Sequence, residues 1–329
     1  MKGCIILKFK RKTIILALMS IIMLLFLAGC KNNSKDGIVA EIDGYQVTQE
    51  QFDKEFEMKR NMNIKQFGED FLSQELEKGL TVEGFLREEL LFDIIHENIL
   101  RKELSKLNMA VTEEDIDRAM NEYYISKLGG EEGYKEYLDK LGITDEYLRK
   151  VVYRGLMYQR HSDYFFNQID LSEETVREYY EKNKDSFVKV RASHILVKTE
   201  EKGKEVLERL KEGADFAELA AIESIDTQTS IKGGDLGYFT RGSMVEEYKE
   251  IENTAFSLKV GEISGLIKTT LGYHIVMVED RKESFEDLKD EVINALKYEK
   301  YQEELDRLTK EADVQIYMDL HSEKNNKDN

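Results

Sequence analysis

The sequence predicts an α+β protein in which a compact unit of strands and helices, residues 187–281, is inserted between two mainly helical segments, residues 38–186 and 282–320. Apolar residues recur at helical spacing over most of the chain, whereas β-branched residues cluster in residues 188–197 and 273–278. Two short helical patterns lie between these clusters. A strand, helix, helix, strand order of this kind indicates a compact α+β unit.

The composition is that of a folded and strongly acidic protein. The 329 residues include 48 basic and 66 acidic side chains, for a formal net charge of −18, together with 17 tyrosines and 15 phenylalanines. This aromatic content can fill a core, which argues against disorder. The acidic balance argues against nucleic-acid binding, because phosphates require clustered Lys and Arg. Two cysteines and five scattered histidines predict no metal site.

Residues 1–29 have the pattern of an export signal. Basic residues precede an uncharged apolar run of about fifteen residues, which falls short of the roughly 20 needed to span a bilayer. The run ends in Leu-Ala-Gly-Cys at Cys30, which resembles the bacterial lipobox. The resemblance implies cleavage before Cys30 and an S-diacylglycerol cysteine there, with acylation of its amino group as a further option. Simple cleavage and an uncleaved helical anchor are the alternatives.

A lipid on Cys30 would hold the mature chain against the lipid bilayer, on the extracytoplasmic face of the cell membrane. Residues 30–37 then form a flexible tether, and the polar residues 321–329 form a disordered tail. Cleavage removes Cys4 and leaves one modified cysteine, so no disulfide is expected.

Capping residues and glycines mark the helix ends in a chain that contains no proline. A hairpin with its turn at Asp43-Gly44 is followed by Thr48, which begins a helix with Gln51 in a capping box. The later boundaries are marked by Thr112 with Asp115, Gly129-Gly130, Gly142, Thr144, Ser172 and Ser284 with Asp287. Because the two helical segments resemble each other in composition, we expect them to pack into one discontinuous domain, closed by a strand near Val314.

Two histidines lie on apolar faces of the predicted strands. Alternation along a strand places His194 on the face of Leu196 and His274 on the face of Val276. Taken singly, each is more often a hydrogen-bonded core residue than a catalytic one.

Four stretches, taken together, resemble the parvulin family of peptidyl-prolyl isomerases. They are Val190-Arg191-Ala192-Ser193-His194-Ile195-Leu196-Val197, Asp215-Phe216-Ala217-Glu218-Leu219-Ala220, Gly233-Gly234-Asp235-Leu236-Gly237-Tyr238-Phe239 and Gly272-Tyr273-His274-Ile275-Val276, in the family's order. Residues 38–56 and the order of the domains further resemble the PrsA-type extracytoplasmic foldase lipoproteins of Gram-positive bacteria. The resemblance implies an antiparallel sheet with surrounding helices in residues 187–281, inserted into a helical chaperone domain.

The resemblance implies rotation about X-Pro peptide bonds without a cofactor, against a barrier of about 18–20 kcal/mol. His194 and His274 match the family's paired histidines, Thr269 matches its hydroxyl residue, and Asp226 matches its Asp or Cys position. The loop that follows Asp226 is slightly longer than is common, which leaves Thr227 as a competing alignment. Asp226 could also be only a turn-forming residue.

The resemblance also implies an apolar pocket for the proline ring. Met244 and Tyr248 match two of its residues, and Leu236 and Phe239 line its other side. Tyrosine stands where the family usually has phenylalanine, and the segment after Met244 is slightly longer than in typical members. Ile251 is therefore an alternative to Tyr248.

These observations favour a membrane-anchored prolyl isomerase and chaperone that acts on unfolded exported polypeptides with X-Pro bonds. The alternative is a holdase or scaffold lipoprotein whose parvulin domain is weak or inactive, which the altered pocket suggests. The resemblance implies that chaperone action belongs to the helical domain, where amphipathic helices can form an apolar groove for clients or an interface for a homodimer.

Overall fold

The computed structural model describes residues 35–77 and 79–318. The predicted export signal, the lipidated Cys30 with most of its tether, and the predicted tail at residues 321–329 lie outside these described residues. Among the residues that are described, no helix is both long and apolar enough to cross a bilayer.

Helices and short strands alternate along the described chain. In order, they are β1 (Ile38–Ile42), β2 (Tyr45–Thr48), α1 (Gln49–Phe67), β3 (Glu75–Glu77), β4 (Leu80–Thr81), α2 (Val82–Lys106), α3 (Glu113–Met120), α4 (Glu131–Leu141), α5 (Asp145–Phe166), α6 (Glu173–Phe187), β5 (Lys189–Val197), α7 (Glu200–Lys211), α8 (Phe216–Glu223), α9 (Thr227–Ser230), β6 (Asp235–Phe239), α10 (Lys249–Ser257), β7 (Ile267–Thr269), β8 (Gly272–Lys282), α11 (Phe285–Glu311) and β9 (Val314–Ile316). One-turn 3₁₀ helices at Glu69–Phe71 and Glu246–Tyr248 and a π-helical turn at Asn121–Ile125 complete the described chain.

The chain divides into two compact units. Residues 35–169 and 298–318 form one, which we call the helical unit, and Asp170–Lys297 form the other, which we call the sheet unit. Helix α11 begins in the sheet unit and ends in the helical unit.

The local signals of the helical unit fold as the sequence predicts. Strands β1 and β2 pair antiparallel, and their turn places Asp43 and Gly44 at φ values of 49° and 83°, the backbone that suits a two-residue hairpin loop. Thr48 caps α1 through the predicted capping box, and Thr112 does the same at α3. These elements follow from residues only a few positions apart.

Both ends of the described chain contribute to the helical unit. Strand β9 pairs antiparallel with β1, giving the strand order β2-β1-β9. Tyr301, Leu305 and Leu308 of α11 are buried in the same apolar core as Phe52 of α1 and Leu90 of α2. The C-terminal segment is therefore part of the core that the N-terminal helices build.

The sheet unit is built on an antiparallel sheet whose described strands have the order β6-β5-β8-β7. One face of the sheet buries Val190 and Val278 together with Ile251 of α10. The other face buries Ile195 and Ile275 against α7 and α8. Because both faces of β5 and β8 are covered, side chains at the centre of this sheet are shielded from water.

The sheet unit extends beyond residues 187 and 281, the boundaries that we predict from the sequence. Val176 and Tyr180 of α6 are buried against Phe285 of α11, in a cluster that also includes Leu288, Val292 and Leu296. Amphipathic spacing predicts that these helices bury one face, but it does not tell which core that face meets.

Gly234 fixes the distance between β5 and the loop that precedes β6. Its φ is +86°, and a Cβ built on it would lie 2.3 Å from the carbonyl oxygen of His194. The carbonyl oxygen of Gly234 also accepts a hydrogen bond from the His194 N–H at 2.9 Å. Only glycine fits both this conformation and this approach.

We expect Gly234→Ala to destabilise the sheet unit by about 3 kcal/mol, because left-handed strain adds to a clash with fixed backbone. Gly237→Ala is the matched control, since Gly237 has a φ of +71° but no atom within 4 Å of its built Cβ. It should cost only about 1 kcal/mol. Native-state hydrogen exchange of the β5 and β8 amides measures both losses, and equal losses would contradict the clash.

Candidate active site

His194 on β5 and His274 on β8 lie at the centre of the site. The strand register places Leu196 opposite His274 and His194 opposite Val276, so the two histidines are diagonal neighbours on one face. Both residues are 0% exposed. Their Nδ1 atoms are 3.2 Å apart, and their rings are stacked with centroids 5.4 Å apart. One of the facing nitrogens must therefore carry a hydrogen that the other accepts.

Asp226 lies at one end of this pair, in the turn between α8 and α9. It caps α9 by accepting the Gln228 N–H at 3.1 Å, and its Oδ2 lies 2.8 Å from His194 Nε2. The Thr229 hydroxyl donates to the same Oδ2 at 2.8 Å and is 3.0 Å from His194 Nε2. The hydrogen bond with His194, helped by those from Thr229 and Gln228, holds the pKa of Asp226 well below its usual range.

Thr269 lies at the other end, where β7 finishes. Its Oγ1 is 2.9 Å from His274 Nε2 and accepts the Leu271 N–H at 3.1 Å. A hydroxyl can accept and donate at the same time, so its hydrogen is available for the imidazole nitrogen. Thr269 can therefore act as a donor to His274.

One direction of donation satisfies every one of these contacts. The ionised Asp226 can only accept, so His194 carries its hydrogen on Nε2 and accepts at Nδ1. The Nδ1–H of His274 then donates to His194, and His274 Nε2 accepts from Thr269. We assign these tautomers from the hydrogen-bond partners. The hydrogen bonds therefore all run in one direction, from the donating N–H of Leu271 at one end to the accepting carboxylate of Asp226 at the other.

The environment of His274 keeps its ring neutral at neutral pH. Burial, helped by the neighbouring His194 and opposed by Asp226, lowers the pKa of His274 to about 4. A neutral His274 is the form that can both donate at Nδ1 and accept at Nε2.

Tyr248 covers the two imidazoles on the side of α10. Its ring centroid is 5.8 Å from that of His194 and 5.9 Å from that of His274, and its side chain is half-buried. Ile251, the alternative to Tyr248, is 0% exposed in the apolar core beneath α10. A substrate could contact Tyr248 without displacing the core, but it could not contact Ile251.

The other predicted pocket residues belong to the same apolar cluster. Leu236 and Met244 are partly buried against it, and Phe239 is 8% exposed within it. All the side chains predicted for the site therefore lie in the sheet unit.

Sequence reasoning missed Thr229. Asp226, and not Thr227, is the residue that bonds to His194 in the structure. Thr229 joins the network because Asp226 caps a one-turn helix, which brings a side chain three residues later back to the cap. The spacing Asp-x-x-Thr was the available signal, since N-caps commonly meet the third residue that follows.

Comparison with known proteins agrees with this domain order. The family model for a PPIC-type PPIASE domain matches residues 178–282, and that for a SurA-like N-terminal domain matches residues 5–162. The Foldase protein PrsA of Halalkalibacterium halodurans is 31% identical over 89% of this chain and 81% of its own. The PrsA protein of Geobacillus kaustophilus is 33% identical over 90% of this chain and 92% of its own length. That of Caldanaerobacter subterraneus subsp. tengcongensis is 30% identical over 93% of this chain and 97% of its own length.

The match to each of these relatives covers most of this chain and most of the relative's own length. The predicted fold class, an α+β isomerase domain flanked by helical segments, is confirmed by the two family models and by the observed elements. The chain belongs to the PrsA family of foldases, and its sheet unit carries a peptidyl-prolyl cis-trans isomerase domain.

Proposed function

We propose that Asp226, His194, His274 and Thr269 form the catalytic network for rotation of X-Pro bonds in unfolded exported polypeptides. The observation that carries this proposal is the continuous chain of hydrogen bonds that joins the four side chains next to a half-buried aromatic ring. Rotation breaks no covalent bond, so the site must weaken amide resonance, which makes up a barrier of about 20 kcal/mol.

The charge of Asp226 offers a way to weaken that resonance. In a planar amide, resonance places negative charge on the carbonyl oxygen and positive charge on the nitrogen. In the twisted transition state, that charge separation is lost. Fixed negative potential beside the carbonyl oxygen therefore raises the energy of the planar state more than that of the twisted state. Asp226 supplies this potential, and its hydrogen bond with His194 holds it in place.

The apolar side chains of Tyr248, Met244, Leu236 and Phe239 would grip the proline ring beside this network. They are partly or fully buried in one cluster with α10, so a bound ring would lose most of its contact with water. Excluding water strengthens the electrostatic effect of Asp226 at the amide. The flexible thioether of Met244 suits a ring that changes position during rotation.

We also propose that Cys30 carries a diacylglycerol group that holds the protein on the extracytoplasmic face of the membrane, and that the helical unit holds client chains. Support for the anchor comes from the charged and apolar pattern that precedes Cys30. Support for the second role comes from the relatives, which are named foldases. An isomerase in the same chain as a site that holds unfolded clients would act on X-Pro bonds before they are buried.

Asp226→Asn should lower kcat/KM for a proline-containing tetrapeptide by about 10²-fold, because it removes the fixed charge and keeps the shape. Thr227→Val, at the neighbouring position that competes in the alignment, is the matched control and should stay within about twofold of the wild type. The assay uses the full mature chain. A larger effect at Thr227 would reverse the assignment, and a wild type that does not accelerate isomerisation would favour the holdase alternative.

Both the stability of the folded protein and its isomerase activity should fall in acid. The pKa of His274 is lowered from 6.5 to about 4 in the folded protein, so the unfolded chain binds the proton more tightly. The stability that the neutral ring contributes is complete above pH 6.5 and is lost as the pH falls from 6.5 towards 4. The kcat/KM should be flat near neutral pH and fall over the acidic range. An NMR titration of the His274 ring tests this, and a midpoint near 6.5 would contradict it.

Cys30→Ala should abolish acyl labelling and release the protein from membranes, because it removes the sulfur that would carry the lipid. Cys4→Ala is the matched control, since Cys4 lies within the predicted leader, and it should change neither result. Metabolic labelling with a fatty acid, together with membrane fractionation, measures both. Membrane attachment that persists without an acyl label would instead indicate an uncleaved helical anchor.

A further inference from the structure

Two of the four pocket side chains lie on an irregular segment. Residues 240–248, between β6 and α10, carry Met244 and Tyr248 but form nothing more regular than one 3₁₀ turn. The hydrogen bonds of a strand or helix therefore do not fix Met244. Some other interaction has to hold this part of the pocket in shape.

That interaction comes from Glu252 on α10. Its side chain is 6% exposed, and both carboxylate oxygens accept main-chain hydrogen bonds from the segment. One oxygen accepts the Gly242 N–H at 2.7 Å, and the other accepts the Met244 N–H at 3.0 Å. Hydrogen bonds to a charged acceptor are about twice as strong as neutral ones, and two from one carboxylate fix an orientation as well as a distance.

The helix that carries Glu252 is itself firmly held. Its neighbours Ile251, Ala255 and Phe256 are buried in the core beneath β5 and β8. The Arg241 guanidinium lies 4.3 Å from the centre of the Phe256 ring, and this cation–π contact is a second interaction between residues 240–248 and α10. Glu252 therefore joins the irregular segment to a rigid part of the sheet unit.

We propose that Glu252 is a positioning residue that holds the Met244 segment in its substrate-binding shape, and that it thereby sets KM more than the rate of bond rotation. This inference rests on the proposed role of Met244 in the proline pocket. Without the carboxylate, the segment samples many shapes, and substrate binds only to the fraction that has the right one. Apparent affinity falls in proportion to that fraction, whereas the bound state reacts as before.

Glu252→Gln in the full mature chain tests this, because it keeps the size of the side chain but turns an amide N–H₂ towards a main-chain N–H. We expect KM for a proline tetrapeptide to rise about 10-fold with kcat within about twofold of the wild type. Glu250→Gln, an exposed glutamate on the same helix, is the matched control and should change neither constant.

A double-mutant cycle with Met244→Ala shows whether Glu252 acts through Met244. Once the thioether is absent, Glu252→Gln should raise KM much less than it does in the wild type. If Met244→Ala raises KM but Glu252→Gln does not, the positioning role is overturned and the pocket assignment stands. If Met244→Ala leaves KM unchanged, the pocket assignment fails, and the inference fails with it.

Hydrogen exchange on the wild type supplies a test that needs no variant. The Gly242 and Met244 amides should be protected, because both donate to a buried carboxylate. Exchange at the rate of open loop amides would overturn the proposal. In a folded Glu252→Gln protein, the same two amides should lose protection while those of β8 keep theirs.

Discussion

The contact between two buried imidazoles, Nδ1 to Nδ1 at 3.2 Å, is the interaction on which the site depends. A buried ring nitrogen without a partner costs free energy, so each outer nitrogen of the pair also needs one. Because the two rings share a single hydrogen, those outer partners must differ. One has to accept and the other has to donate. Asp226 and Thr269 have these opposite capacities, and the carboxylate is at the accepting end.

Several separate parts of the fold serve this one requirement. The register of β5 and β8 makes the histidines diagonal neighbours, and Gly234 fixes the distance between β5 and the loop that precedes β6. Asp226 has two tasks, since it caps α9 with one oxygen and holds His194 with the other. The cap fixes the carboxylate before any substrate arrives. A preorganised charge of this kind loses no free energy to reorientation when the amide twists.

The sequence predicts local features well and distant pairings poorly. The turn at Asp43-Gly44 and the cap at Thr48 depend on residues a few positions apart, so their pattern is visible in the chain. Alternation gives the faces of His194 and His274, but their contact spans 80 positions and depends on a register that no local pattern specifies. Only the resemblance to a family brings the two together. The Asp-x-x-Thr spacing is a local signal for Thr229, but its contact with His194 depends on the same distant packing that the pattern does not specify.

The tyrosine that we propose for the pocket is the departure that suggests an inactive isomerase, and its position in the structure weakens that argument. Spacing leaves Tyr248 and Ile251 as alternatives, because the segment after Met244 is longer than in typical members of the family. Burial distinguishes them, since Tyr248 is half-buried and Ile251 is 0% exposed. Tyr248 lies against both imidazoles, as a phenylalanine ring would. Burial raises the pKa of its hydroxyl, so the ring stays neutral at neutral pH. An aromatic ring with a polar tip can cover the network while that tip stays near water, and the substitution therefore need not open the site to solvent.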